Sequence, residues 1–206
     1  MSIKKLINFH IIIFYIIKKI INMHIIIVNG SNQSGKDNFV NFFIKHYEFK
    51  SMNLSTIDRV KEISKKYFGW DGKKNEPSRK FLSDIKRIWA EYNNGPFKYM
   101  VNKIKENNKK LSKEDKDNIV YFVHCREPEE IKKFKDYYKN KCYTILLKRD
   151  VRTEKNKISN NDSDMNVENY DYDKIVINKG NKMDLELESI KFLNDFKKLI
   201  TNNQNK

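Results

Sequence analysis

The chain has 206 residues, of which 39% are hydrophobic and 33% charged, as in a globular domain with a real core, and this excludes a disordered chain. Cys125 and Cys142 form no spaced framework, which argues against a disulfide scaffold or a zinc site and fits a reducing, cytoplasmic setting. The net charge is +15, but the lysines are scattered without a known binding motif, so no stable nucleic-acid partner is expected.

The first 22 residues stand apart from the rest. Residues 7–17 are nearly all apolar and are flanked by lysines, but the run is shorter than the ~20 residues that cross a bilayer. No small-residue cleavage site follows it, as a signal peptide would require. Residues 1–22 are therefore either an interfacial membrane anchor or a translated leader before a true start at Met23. We favour the leader, because Met23 immediately precedes the first core strand.

From Met23 onward, short β-rich runs alternate with longer helical patterns. This alternation predicts an α/β fold with a parallel sheet that helices cover on both faces. Residues 111–117 are predicted as a loop, 148–173 as a long polar segment and 201–206 as a polar tail. The predicted strands are 24–28, 54–57, 119–124, 142–147 and 174–177, and the predicted helices are 36–47, 59–68, 78–92, 96–107, 128–138 and 183–200.

The sharpest motif is Gly-Ser-Asn-Gln-Ser-Gly-Lys-Asp at residues 30–37, which fits G-x-x-x-x-G-K between a strand and a helix. Glycines let backbone N–H groups turn toward phosphate oxygens, and the start of the next helix attracts anions. Lys36 can then reach the β and γ phosphates of a nucleotide. The motif predicts an ATP-binding loop made of Gly30, Ser31, Asn32, Gln33, Ser34, Gly35, Lys36, Asp37 and Asn38.

Asp37 stands where such a loop usually carries Ser or Thr. The usual hydroxyl ligates Mg²⁺, and a carboxylate could do so directly or through water, because Mg²⁺ takes hard oxygen ligands. Alternatively, Asp37 only places a favourable negative charge in the first turn of the helix. Both interpretations stay open, and Asp37 is a predicted metal ligand.

Cations and a carboxylate elsewhere could serve a phosphorylated acceptor. Arg79, Lys86 and Arg87 recur at near-heptad spacing in a predicted helix, as phosphate ligands or as an ordinary solvated face. Arg126 and Glu127 follow the strongest predicted strand, where parallel sheets bind ligands, although they could also be a local helix-start pair. His124 is interpreted as a buried strand histidine rather than a ligand.

Four segments together resemble the deoxynucleoside monophosphate kinase-like P-loop kinases of phages and bacteria. They are residues 30–37, Ser-Thr-Ile-Asp-Arg-Val-Lys-Glu-Ile at 55–63, Arg-Lys-Phe-Leu-Ser-Asp-Ile-Lys at 79–86 and Arg-Glu-Pro-Glu-Glu-Ile at 126–131. The resemblance covers residues 23–199. The Gly-Lys-Asp ending also occurs in animal-type phosphomevalonate kinases, so it does not fix the acceptor.

The resemblance implies a P-loop NTPase fold of the nucleoside monophosphate kinase type: three α/β/α layers, a five-stranded parallel sheet, acceptor-binding helices in 58–108 and a lid in 148–173. It implies that Arg126 holds the acceptor phosphate and that Glu127 acts near Mg²⁺. Arg149 and Arg152 resemble lid arginines that neutralise the transferred phosphoryl group, although a basic surface loop is the alternative. The residues implied near the acceptor are Asp58, Arg59, Lys61, Arg79 and Lys86.

These observations predict a kinase that uses ATP and Mg²⁺ to phosphorylate a small-molecule substrate, a (deoxy)nucleoside monophosphate, as a monomer or homodimer. The predicted catalytic residues are Lys36, Arg126, Arg149 and Arg152. Two alternatives stay open. The acceptor could be another small molecule, such as a phosphomevalonate-like compound or a coenzyme precursor, or the chain could be a nucleotide-binding regulatory module that acts on nucleic acid or a membrane.

Overall fold

The computed structural model describes residues 23–150 and 167–202. Strands and helices alternate along most of this length, with four consecutive helices between the second and third strands. In chain order, the elements are β1 (His24–Asn29), α1 (Lys36–His46), β2 (Ser51–Ser55), α2 (Asp58–Tyr67), α3 (Glu76–Asn93), α4 (Gly95–Lys109), α5 (Lys113–Asn118), β3 (Val120–His124), α6 (Pro128–Tyr138), a 3-10 turn (Lys139–Lys141), β4 (Cys142–Arg149), β5 (Lys174–Asn178) and α7 (Lys182–Asn202).

A single parallel sheet contains the five strands in the order β2-β3-β1-β4-β5. β1 is central, and its residue Val28 lies opposite His124 of β3 and Ile145 of β4. Because all the strands run in one direction, their carboxyl ends form a single edge. The loops that follow β1, β3 and β4 start at this edge, which is where parallel sheets bind ligands.

Both faces of the sheet are covered, because successive residues of a strand point to opposite sides. On one face, Ile26 of β1 belongs to a core that includes Phe43 of α1 and Phe196 of α7. On the other face, Ile27 belongs to a core that includes Phe134 of α6. The predicted three layers and five-stranded parallel sheet are confirmed.

Most predicted elements are present within a few residues of their predicted ends, but two interpretations of the sequence are corrected. Residues 111–117 were expected to form a loop, yet Lys113–Asn118 is a short helix whose first turn is capped by a 3.1 Å hydrogen bond from the Asp115 N–H to Ser112 Oγ. Its residues are polar throughout, so no apolar periodicity marks it. The polar segment expected from Lys148 onward begins inside β4, which extends to Arg149.

Three predicted segments fall largely beyond the described residues. They are the apolar segment 1–22, most of the polar segment 148–173 and the tail 201–206, into which α7 extends as far as Asn202. Within residues 23–150 and 167–202, no helix combines the length and apolar character that crossing a membrane requires.

Phe43 offers a direct test of the core between the sheet, α1 and α7. Its ring is fully buried and meets that of Phe122 edge to face, with centroids 4.9 Å apart. We expect Phe43→Ala to lower the free energy of unfolding by about 3–5 kcal/mol, because it leaves a cavity. Phe68→Ala, at a 59% exposed site, should stay within about 0.5 kcal/mol of the wild type in the same urea titration. Equal losses in the two variants would contradict this packing.

Candidate active site

Two glycines allow the loop between β1 and α1 to lie against the end of the sheet. Gly30 has a φ of +146°, and a Cβ atom there would lie 2.4 Å from the Leu147 carbonyl oxygen. Gly35 has a φ of +96°, and its Cβ would lie 2.5 Å from Asn178 Nδ2. Any other residue would be strained at these angles and would also collide with β4 or β5. The loop is therefore seated directly on the carboxyl ends of these two strands.

Lys36 places a positive charge on this loop. Its Nζ donates hydrogen bonds of 2.6 Å to the carbonyl oxygens of both Gly30 and Ser31, and one of 3.3 Å to Ser34 Oγ. Lys36 also begins α1, whose N-cap is Gly35, a residue without a side chain to occupy the first N–H groups of the helix. Helix N–H groups beside an ammonium group favour a bound anion.

A buried asparagine joins the loop to two other parts of the sheet edge. Asn29, the last residue of β1, accepts a 2.7 Å hydrogen bond from the Gly30 N–H. Its Nδ2 donates to the Arg126 carbonyl oxygen at 3.0 Å and to the Tyr172 hydroxyl at 2.6 Å. The Tyr172 hydroxyl in turn donates to the Val167 carbonyl oxygen at 2.7 Å. One amide thus fixes the end of β1 relative to the segments after β3 and before β5.

The ends of β4 and β5 hold the other side of the loop. Asn178, at the end of β5, donates a 2.9 Å hydrogen bond from Nδ2 to the Ser34 carbonyl oxygen. Arg149, at the end of β4, donates from Nη1 to the Gln33 carbonyl oxygen at 3.3 Å. The Asp150 N–H continues this contact with a 2.8 Å hydrogen bond to the Asn178 carbonyl oxygen. A second cationic side chain, a guanidinium, therefore reaches the loop.

Asp37 and His124 meet across the gap between α1 and β3. The Asp37 side chain is 88% exposed, and its Oδ1 lies 3.8 Å from Nε2 of the largely buried His124. Burial has the largest effect on the pKa of His124 and lowers it, while Asp37 acts in the opposite direction. Lys36, Asp58 and Lys61 also act on this imidazole, so charges from both the loop after β1 and the start of α2 converge on it.

Of the residues predicted near the acceptor, Lys86 is buried in an acidic cluster, and the others lie on α2 or in the first turn of α3. Asp58 begins α2 and accepts a 2.8 Å hydrogen bond from the Ser55 N–H. Arg59 is exposed, pairs with Glu62 at 3.0 Å and lies 5.7 Å from the centre of the Tyr99 ring. These contacts hold the N-terminus of α2 beside the end of β2. Lys61 is half-buried in α2, and Arg79 is exposed in the first turn of α3.

Lys86 is buried within a cluster of acidic groups. Its Nζ contacts Glu127 and lies 2.7 Å from Glu130 Oε2, which also accepts a 3.3 Å hydrogen bond from Cys125 Sγ. Burial alone would lower the pKa of Lys86, but the neighbouring carboxylates, Glu130 first, raise it overall. Burial raises the pKa of Glu130 and, most strongly, that of the Cys125 thiol. The cluster ties α3 to the junction between β3 and α6.

This arrangement bears on two predicted roles. Glu127 stands as a predicted metal ligand, and donor atoms of Cys125, Glu127 and Glu130 all lie within 4.8 Å of one another. The Lys86 ammonium already supplies these carboxylates with a cation. Lys86 stands as a predicted acceptor ligand, but here its charge is directed to the acidic cluster.

The predicted loop residues, Asp37 and Arg149 come together at the carboxyl edge of the sheet, and the backbone of Arg126 joins them through Asn29. Asn38 is exposed in the first turn of α1. Arg152 lies outside the described residues. Sequence reasoning missed Asn29, Asn178 and Tyr172. A polar amide at the end of an otherwise apolar strand was the available signal for the two asparagines.

Comparisons with known proteins give fold-level similarity only. No protein-family model matches the chain, and no curated protein matches it. Among solved structures, it is similar to a gluconokinase from Sinorhizobium meliloti 1021, with 10% identity over 87% of this chain and 97% of that one and a TM-score of 0.45. It is also similar to the shikimate kinase from Aquifex aeolicus VF5, with 14% identity over 83% and 96% and a TM-score of 0.43.

A sugar kinase from Janibacter sp. HTCC2649 is similar at 10% identity over 86% of this chain and 98% of that one, with a TM-score of 0.42. At such identities and TM-scores, these similarities assign no activity to this chain. Its function has to be inferred from its own residues.

Lys86→Met tests the acidic cluster. Removing the ammonium leaves the buried Glu130 carboxylate and the partly exposed Glu127 carboxylate without a cation, and we expect a loss of about 3–5 kcal/mol in the free energy of unfolding near neutral pH. Lys86 lowers the pKa of both carboxylates, so without it the folded-state pKa of Glu127 rises and that of Glu130, already raised by burial, rises further above its unfolded value. The stability of the variant is therefore retained at low pH and lost as pH rises. The penalty relative to wild type should be smaller at pH 4 than at pH 7.5 in urea titrations.

Lys80→Met is the matched control, because Lys80 lies on the same helix with its side chain 78% exposed. It should change the free energy of unfolding by less than about 0.5 kcal/mol at either pH. A Lys86→Met penalty that is equal at both pH values would show that lost packing, not unpaired charge, causes it.

Proposed function

We propose that this chain is an ATP-dependent phosphotransferase that transfers the terminal phosphate of ATP to a small phosphorylated acceptor. The observation that carries the proposal is the loop between β1 and α1. It brings together the Lys36 ammonium, the N-terminus of a helix without a side-chain cap and the Arg149 guanidinium. Several donors and two cations around one loop suit a polyphosphate better than a single carboxylate or an uncharged ligand.

ATP carries a divalent cation in such enzymes, and the residues beside the loop fit one. Asp37 offers an exposed carboxylate next to Lys36, and the buried Nε2 of His124 faces it without a hydrogen-bond partner among the described residues. When bound, the cation neutralises part of the charge on the β and γ phosphates. Asp37 would hold it from the side of α1.

The transfer needs no covalent intermediate with the protein. An oxygen of the acceptor's phosphate attacks the γ-phosphorus, the bond from that phosphorus to the β–γ bridging oxygen breaks, and ADP leaves with the bonding electrons. The chain's contribution is positioning and charge stabilisation. Lys36 and Arg149 act on the transferred group, and Arg126 orients the acceptor from the end of β3.

A nucleoside monophosphate, with ribose or deoxyribose, is the acceptor that the sequence resemblance favours. The phosphate of this acceptor has to be held by fixed cations. These cations have to lie across the loop from the bound ATP. Arg126 follows β3, the strand adjacent to β1, and its backbone is held by Asn29. Lys61 and Arg79, on α2 and α3, supply further positive charge in the region expected to bind the acceptor.

Lys36→Ala tests the assignment of the loop. We expect turnover to fall by about 10²–10³-fold, the usual effect of removing one charge-stabilising donor, with the fold retained. Lys45→Ala is the control on the same helix, because Lys45 is 63% exposed and pairs with Glu186. Circular dichroism would confirm folding, and coupled ADP release would measure turnover. Full turnover in Lys36→Ala would contradict the assignment.

The acceptor is tested by incubating the protein with Mg-ATP and each common ribo- and deoxyribonucleoside monophosphate, with product chromatography as the readout. A new diphosphate with matching ADP is the expected result. Saturable Mg-ATP binding without any diphosphate, but with phosphorylation of another small molecule, would retain the phosphotransferase and reject the nucleotide acceptor. Absence of saturable Mg-ATP binding to the folded protein would reject both.

A further inference from the structure

His124 carries a buried imidazole nitrogen that has no hydrogen-bond partner among the described residues. It is the last residue of β3 and lies opposite Val28 of β1 and Ser55 of β2 in the sheet. Its Nε2 has almost no accessible surface and no hydrogen-bond partner in the part of the chain that the structure describes. Leaving a buried polar atom unsatisfied costs about 1–3 kcal/mol, so such an atom calls for a ligand that the protein alone does not supply.

The group facing this nitrogen is a carboxylate at a distance suited to a shared ion. Asp37 Oδ1 lies 3.8 Å from His124 Nε2, which is too long for a hydrogen bond. Two ligands of one divalent ion can lie up to about 4.2 Å apart, twice a bond of about 2.1 Å. The pair therefore has the spacing of two ligands of one ion, and Asp37 is adjacent in sequence to the loop lysine.

The residue types at these two positions depart together from the usual pattern. In P-loop NTPases, a Ser or Thr after the loop lysine and an acidic residue elsewhere hold Mg²⁺. Here the position after the lysine is Asp37, and the end of the strand beside β1 carries His124. Oxygen ligands suit Mg²⁺, whereas an imidazole nitrogen raises affinity for first-row transition ions relative to Mg²⁺.

We propose that Asp37 and His124 form the site for the divalent ion that accompanies ATP, and that its imidazole ligand makes it prefer a first-row transition ion such as Mn²⁺ over Mg²⁺. This inference rests on the proposed nucleotide-binding function. It names His124 as a metal ligand in addition to Asp37.

The other group of potential ligands does not compete for this role. Cys125, Glu127 and Glu130 converge behind the end of β3, but Lys86 contacts both carboxylates and provides their counter-charge. A second cation there would have to displace a buried ammonium. The imidazole of His124, by contrast, meets the exposed carboxylate of Asp37, which can be reached from solvent.

Mn²⁺ with ADP is the probe, because ADP keeps the nucleotide bound without turnover. Pulsed electron paramagnetic resonance of the Mn²⁺–ADP–protein complex should show coupling to a directly bound imidazole nitrogen. We expect His124→Asn to lose this coupling and His46→Asn to keep it, because His46 lies at the other end of α1 and pairs with Glu186. His124→Asp restores an oxygen ligand and should lower the preference for Mn²⁺ over Mg²⁺, measured by calorimetric competition, about tenfold.

Each outcome decides between defined alternatives. Failure of the wild-type protein to bind ADP with either ion overturns the proposed function and this inference with it. Binding of Mn²⁺–ADP without nitrogen coupling in the wild type overturns the inference alone, and this readout does not depend on any variant folding. Coupling that persists in His124→Asn also overturns it, because the nitrogen then comes from elsewhere.

Discussion

The close approach of the loop between β1 and α1 to the ends of β4 and β5 is the constraint on which the candidate site depends. Gly30 and Gly35 let backbone come so near to Leu147 and Asn178 that no Cβ fits. This seating turns a flexible Gly-rich turn into a fixed one, because Asn29 and Asn178 then bond its two ends. The loop is thereby ordered in advance, and under the proposed function little ordering would remain to be done when a nucleotide binds.

The net charge of +15 is less informative than the location of a few cations. Most described lysines that form ion pairs do so at the surface, where a pair contributes little. Lys36 and Arg149 are different, because backbone carbonyls of the loop hold them. Lys86 is different again, because it is buried and bound to two carboxylates. The same residue type thus serves as solvated surface, as the proposed phosphate ligand and as the centre of a buried cluster.

Local pattern predicted the strands, the loop and most helices, because each leaves a signal within a few residues. The helix Lys113–Asn118 was missed because it is short and polar and depends on one cap. The site was predicted only in part. Contacts such as those of Asn29 with Tyr172 and of Asn178 with Ser34 join residues 143 and 144 positions apart, which no local pattern encodes. Lys86 looked like one cation of a basic helix face until its partners, 41 and 44 positions away, were located by the fold.

In the proposed ion site, Asp37 and His124 make one exchange of ligands rather than two separate departures from the common arrangement. In the common arrangement, a neutral hydroxyl follows the loop lysine and a carboxylate lies elsewhere, for a total charge of −1. Here the carboxylate follows the lysine and a histidine with a lowered pKa ends β3, so the total at neutral pH is again −1. The proposed site therefore keeps the net charge that a divalent ion beside a polyphosphate requires. What changes is the chemistry of the ligands. One oxygen donor is replaced by the imidazole nitrogen of His124, and the negative charge moves to Asp37 at the start of the helix that follows the loop.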